Sequence, residues 1–218
     1  MPSDAASSDP NLRTPTVTVR GDAIIRAEPD EAMLWITLTA LQDAPGPALS
    51  DVSARSHALV GLLDELGVEK ADRSTSGITV FEEFDHTQTG RRSLGHRAIS
   101  RVSVRLTDPD LIGPLIAKAT ENLSARIDGP RWLISPDNPV RLEAARQAAA
   151  DGQRKAQAYA EGVGAKLGQL IGLTEPDHAH TARTAGGLQP MAVEPMPVEP
   201  GEHEVTASIN ATFALDLS

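Results

Sequence analysis

Val205-Thr206-Ala207-Ser208-Ile209-Asn210-Ala211-Thr212-Phe213-Ala214-Leu215-Asp216-Leu217 places an apolar side chain at every odd position. A period of two sends those side chains to one face of an extended chain, so the stretch reads as a half-buried β-strand. A strand this close to the end of a 218-residue chain cannot bury its apolar face alone. It must pair with a strand laid down much earlier, which makes residues 16–218 one cooperative domain behind a disordered tail at 1–15.

Other elements follow outward from this strand. Residues 175–202 are rich in Pro, Gly, Glu and Met and poor in large apolar side chains, so they read as a flexible loop within the domain or as a partner-docking arm. Before them, Lys166 to Thr174 is a short strand. Asn138 caps and Pro139 opens the longest helix, which is Ala-rich. In it Leu142, Ala145, Ala149, Gly152, Ala156, Tyr159 and Val163 step by three and four like a heptad seam. A glycine in mid-helix costs about 1 kcal/mol against alanine, so Gly152 predicts a close neighbour. Asp151 and Lys155 read as an exposed i,i+4 pair of about 0.2–0.5 kcal/mol.

Nearer the N-terminus, Thr16 to Ala27 and Ala32 to Gln42 read as strands joined by the Glu28-Pro29-Asp30 turn, the second with both faces mostly covered. Pro45-Gly46-Pro47 opens a helix with an apolar stripe of Leu49, Val52, Ser56, Leu59, Leu63 and Leu66 that ends at Gly67. Arg73 to Phe84 and Leu94 to Leu106 form a hairpin across a polar connection at 85–90. Along its second strand Ala98, Ser100, Val102, Val104 and Leu106 share one face. Asp108 and Pro109 start a further helix with Leu111, Ile112, Leu115, Ile116 and Ala119 inward. Ala125 to Ser135 is a strand that Gly129-Pro130 assigns to an edge or a bulge. The expected fold is α+β, with mainly antiparallel sheet and three helices packed on it.

Composition narrows the function classes. A formal charge of −10 argues against sequence-independent nucleic-acid binding, which needs a basic face. The absence of cysteine removes disulfides, thiolate nucleophiles and thiolate metal ligands together. No run approaches the roughly 20 apolar residues of a membrane helix. The first residues lack a signal-peptide core, so the cytoplasm is the default expectation, with an export signal elsewhere in the native chain as the exception.

The order of elements resembles the SIMPL-domain family. The matching residues are Val17-x-Val19-x-Gly21, Ala27-x-Pro29-Asp30-x-Ala32, Gly95-His96-Arg97-Ala98, Lys155-Ala156 with Ala160, and Pro200-Gly201 ahead of Val205-x-Ala207-Ser208. The resemblance runs from about Thr16 to Leu217 and departs at His96, where the family usually has Tyr. It implies an α+β protein able to form ring-like or channel-like homo-oligomers, with links to stress responses and cell-surface antigens and an adaptor among animal relatives. It carries no catalytic residues across.

Candidate chemistry in the residues is sparse. His178-x-His180, with Asp177, Glu175 and more distantly His203, has imidazoles for a transition metal but no third ligand at fixed spacing, so a solvated loop is the preferred reading. His57 and His86 lack a nearby nucleophile or orienting carboxylate. His96 and Arg97, followed by Arg101 and Arg105, are a candidate interface or anion site in an otherwise acidic chain. These arginines could meet acidic residues such as Glu194, Glu199, Glu202 and Glu204 of a neighbouring subunit. Met191, Glu194, Met196 and Glu199 are the candidate partner-binding residues of the loop.

The expected function is therefore a non-enzymatic, self-assembling protein with no catalytic residue, cofactor or metal, a homo-oligomer using its small-residue helix and exposed strand faces. A protein-binding adaptor using the Pro- and Met-rich loop is the alternative. An enzyme or small-anion binder at His96 and Arg97 is the third reading.

Overall fold

The computed structural model describes residues 15–87, 90–176 and 201–217. Residues 1–14 of the expected tail at 1–15 and most of the 175–202 loop, with Met191, Glu194, Met196 and Glu199, lie outside the described residues. Seven strands and three helices are present among those that are described, in two antiparallel sheets, so the α+β expectation holds. The chain divides into two compact units, residues 28–135 and residues 1–27 with 136–218.

In the unit formed by residues 28–135, the elements are β2 (Glu31–Gln42), α1 (Pro45–Glu65), β3 (Arg73–Thr87), β4 (Gly90–Leu106), α2 (Ile112–Leu123) and β5 (Arg126–Leu133). The strands pair in the order β3-β4-β2-β5. The alternation in β2 has the expected consequence on one side: Leu34, Ile36 and Leu38 are fully buried, each stabilising the unit by roughly 1.5–3 kcal/mol. Opposite them lie Leu59 and Leu63 of α1 and Leu115 and Ala119 of α2 in one apolar core. The other side of β2 differs from expectation: Met33, Trp35, Thr37 and Thr39 are only half-buried.

Local signals explain most boundaries. Asp108 caps a 3-10 turn at Pro109–Leu111 that leads into α2, its Oδ1 accepting from the Asp110 amide at 3.0 Å. Of the stripe expected on α1, Val52, Leu59 and Leu63 are buried, while Ala48 and Leu62 take the places assigned to Leu49 and Leu66. The hairpin is longer than the residue types suggested, because Asp85, His86 and Thr87 pair with Arg92, Arg91 and Gly90. Polar side chains are no obstacle to a ladder in which Asp85, Arg91 and Arg92 are exposed. β5 is an edge strand, and Gly129 and Pro130, joined by a cis peptide bond, bulge opposite Leu34 between the Arg131–Met33 and Asp128–Trp35 pairs.

In the other unit, β1 (Thr16–Ala27), α3 (Pro139–Gly162), β6 (Lys166–Thr174) and β7 (His203–Asp216) form a three-stranded sheet of order β1-β7-β6 with one helix on it. The alternating C-terminal strand does pair with the first one, in unbroken register from Thr16–Ala214 to Ala27–His203. Asn138 caps α3 by accepting from the Val140 amide at 2.9 Å. Gly164, with φ of +74°, closes α3 in the left-handed conformation that only glycine adopts without strain. Its neighbours complete a Schellman pair, Ala165 N to Ala160 O at 2.9 Å and Gly164 N to Glu161 O at 3.1 Å.

The buried seam of α3 corrects the heptad reading. Ala144, Ala148, Gly152, Ala156 and Ala160 face the sheet at uniform steps of four, whereas Leu142, Tyr159 and Val163 are 64%, 64% and 68% exposed. A row of alanine and glycine lets helix and strand backbones approach, and that closeness outweighs the burial of three larger side chains elsewhere on the helix. The seam is thus occupied within the chain and is not a free surface for another subunit.

Candidate interaction surfaces

The first surface is the outward face of the four-stranded sheet. Register places Trp35 between Ser103 of β4 and Asp128 of β5. One row to either side, Thr37 stands between Arg101 and Arg126, and Met33 between Arg105 and Arg131. Four guanidinium side chains therefore frame one tryptophan. Their charges are unequally met. Arg105 donates to Asp72 Oδ1 through Nε at 2.9 Å and Nη2 at 2.7 Å and lies 3.8 Å from Glu31, and the Asp72 contact raises its pKa above the ordinary value. Arg126 reaches Asp128 at 3.3 Å. Arg101 and Arg131 have no ion pair among the described residues.

The candidate interface residues of the sequence analysis are partly brought together here. Arg97, Arg101 and Arg105 share the outward face of β4 with Ile99 and Ser103. Arg97 is bound by the Glu83 carboxylate. His96 points the other way in the alternation, with Nδ1 3.3 Å from the Asp43 carbonyl oxygen. Arg91 stacks on Phe84 with Cζ 3.2 Å from the ring centroid, a cation–π contact.

The remaining candidates stay apart. His203 begins β7, and His57 is exposed on α1. His178, His180, Glu194 and Glu199, with the side chain of His86, lie outside the described residues. Among the described residues no three of His, Asp and Glu gather as a metal site would need. Glu204 is engaged by Arg26 at 3.4 Å.

A polar node that sequence reasoning undervalued joins α3 to β1. The Asp151 carboxylate accepts from Lys155 Nζ at 2.6 Å, from Arg154 at 3.1 Å and from the backbone amide of Asp22 at 3.0 Å. Lys155 also donates to the Arg20 carbonyl at 3.0 Å and lies 3.7 Å from the Asp22 carboxylate. The hydrogen bond from Lys155, followed by that from Asp22, holds the Asp151 pKa at about 2. Asp22 is lowered as well, first by the Ser208 hydroxyl and then by Arg20. Every charge has a partner, so the node is a clamp and not a vacant site. The i,i+4 spacing of Asp151 and Lys155 gave their own pairing, but the contact with Arg20 and Asp22 is long-range and left no local signal.

The second surface is a groove of about 660 Å³ between α3 and β6, lined by Ala149, Ala150, Gln153, Leu170, Leu173 and Phe213 among others. α3 sits mainly over β1 and β7, so the α3-facing side of β6 is left open: Leu170 and Leu173 are 51% and 52% exposed. The signal for this groove was present as Leu167, Leu170 and Leu173, whose spacing of three is wrong for a regular strand.

Over residues 17–213 the sequence matches SIMPL, described as a protein of unknown function (DUF541). Two relatives are each named a 26 kDa periplasmic immunogenic protein, one from Brucella melitensis biotype 1 and one from Brucella abortus. Each is 25% identical over 233 aligned positions that cover 99% of this chain and 90% of the relative. Those names place the relatives in the periplasm, whereas the default expectation for this chain was the cytoplasm, with an export signal as the exception that would allow the periplasm. A solved amidase of the hydantoinase/carbamoylase family from Burkholderia multivorans is 13% identical, with a TM-score of 0.22 over 61% of this chain and 33% of its own, too distant to support any argument. The match along nearly the whole length, on a fold of two antiparallel sheets with three helices, means that the chain belongs to the SIMPL family.

Proposed function

We propose that the chain is a non-enzymatic, self-associating protein of the periplasm, and that the outward face of β3-β4-β2-β5 makes one of its contacts. The observation that carries this reading is the composition of that face: Trp35 at the centre, Met33, Ile99 and Leu41 along the same strands, and arginines on both flanks. Aromatic residues, Met and Arg are the side chains enriched in protein interfaces. A second copy is the fitting partner, because a chain of net charge −10 presents acidic surface elsewhere to a face framed by arginines. The alternative of an anion site at His96 and Arg97 has less support, since Glu83 already meets the Arg97 charge.

Light scattering of the full chain tests the reading. The expected mass is a multiple of 23.0 kDa, reduced in Arg101→Glu, whose exposed side chain has no role in the core. A wild-type mass of one chain at high concentration would overturn it. The compartment is inferred from the names of the relatives, and fractionation of cells expressing the native gene checks it: the protein is expected in the periplasmic fraction.

A further inference from the structure

The outward face of the four-stranded sheet carries two cations that its own acids do not meet. Asp72 and Glu31 hold Arg105, and Asp128 holds Arg126, while Arg101 and Arg131 have no ion pair among the described residues. Arg101 lies on β4 one row beyond Trp35, and Arg131 on β5 one row before it, so the unmet cations stand at opposite corners with the indole between them. Two strand spacings across and four residues along put their Cα atoms roughly 17 Å apart. Both arginines are exposed, and Trp35 is half-buried. The same face bears hydroxyl groups: Thr37 beside Arg101, Ser103 beside Trp35 and Thr39 one row further.

We propose that this face binds a short acidic oligosaccharide, with a sugar ring on Trp35 and anionic groups reaching Arg101 on one side and Arg131 on the other. Each part of the ligand follows from one part of the face. An indole takes the C–H face of a pyranose ring without needing a pocket, which suits the surface of a sheet. A guanidinium binds carboxylate, sulfate or phosphate through two parallel N–H donors. Thr and Ser hydroxyls both give and accept hydrogen bonds, as sugar hydroxyls do. Ser103 Oγ already donates to the Ser74 carbonyl at 3.3 Å, so it is left as an acceptor. Charge sets the length: two unmet arginines call for a ligand with only a few acidic groups, and a chain of net charge −10 repels a long polyanion, nucleic acid included. An acidic peptide would meet the arginines, but nothing in it calls for an indole flanked by hydroxyl groups.

This reading goes beyond self-association and does not need it. A sugar and a second copy would exclude each other from the one face, and the two readings can fail separately. Trp35 reports on the site once Trp132→Phe has removed the other tryptophan. In the full chain with Trp132→Phe, trigalacturonic acid is expected to change the Trp35 emission saturably. The neutral maltotriose should need a concentration about tenfold higher or more, the effect of losing charged hydrogen bonds. Arg101→Gln and Arg131→Gln, with unchanged circular dichroism spectra, should each weaken trigalacturonate binding roughly five- to tenfold. If Trp132→Phe does not fold, calorimetry of the wild type with the same two sugars reads the difference. Sugar binding by a wild type that sediments as one chain would overturn self-association alone. Maltotriose binding as tightly as trigalacturonate, or wild-type affinity in both arginine variants, would overturn the proposal. So would equal or tighter binding of a tri-aspartate peptide or a thymidine trinucleotide, because the face would then read charge and not sugar.

Discussion

Gly21 of β1 and Gly152 of α3 meet backbone to backbone. A Cβ on Gly21 would stand 2.1 Å from the Ala148 carbonyl oxygen and 2.6 Å from the Gly152 amide nitrogen. This contact accounts for a glycine in the middle of a 24-residue helix. The two glycines are nevertheless unequal, because a Cβ on Gly152 meets only the tip of the Ile209 side chain at 2.9 Å and lies 3.6 Å from Gly21 Cα.

Gly21→Ala is therefore expected to destabilise the protein by about 3 kcal/mol or more, the upper range for an overpacked interior in which backbone must move. Gly152→Ala should stay within about 1 kcal/mol of wild type, since the helix-propensity gain of about 1 kcal/mol offsets a rotamer shift of Ile209. Denaturant midpoints measure both, and equal losses would contradict the asymmetry.

The same helix shows where sequence reading stops. Asn138, Asp108, the inward face of β2 and the alternation of β7 act through neighbours in the chain, so their consequences were legible. The inward phase of α3 was not. Alanines at 144, 145, 148 and 149 offer two equally small rows, and the choice between them is made by Gly21 and Ile209, far away in sequence. The β6 groove was hidden for a related reason: bulges change which side chains share a face, and a periodicity argument assumes none. The outward arginines of β4 were found from alternation alone, but their counterparts Arg126 and Arg131 needed the β2–β5 register.

The Asp151–Lys155 clamp predicts an acid-sensitive attachment of α3 to β1. Asp151 is lowered from 3.8 to about 2, chiefly by Lys155 and then by the Asp22 amide. For a depressed carboxylate the contribution to stability is present above its ordinary value and is lost as pH falls through the folded one. The loss thus occurs between pH about 4 and about 2. Lys155 is raised above 10.5 by Asp151, so its share persists below that value and is lost only in stronger base. Asp151→Asn keeps an acceptor for the Asp22 amide but removes the charge. Its melting temperature should fall less steeply than that of the wild type on acidification across this window. Parallel curves would show that Asp151 does not titrate as a partner of Lys155 and Asp22.

Arg55 gives the clearest single-residue test within the unit of residues 28–135. Its Nε donates to Asp51 at 2.7 Å, Nη2 to the Thr39 carbonyl at 2.8 Å and Nη1 to the Leu123 carbonyl at 3.3 Å. Both carbonyls need an outside donor. Leu123 ends α2, where the last carbonyls have no helical partner, and Thr39 lies past the β5 ladder, which starts at Arg126 opposite Thr37. A cation at a helix C-terminus also gains from the helix dipole. Arg55→Met retains the apolar stem but leaves these acceptors unmet, and is expected to cost about 1.5–3 kcal/mol, the range for hydrogen bonds to a charged group. Arg55→Lys should recover little of that loss, because one ammonium cannot span three acceptors that a planar fork reaches together. Denaturant midpoints that rank Lys level with wild type would mean that the Asp51 ion pair alone, rather than the bridging of α1, α2 and β2, sets the value of this side chain.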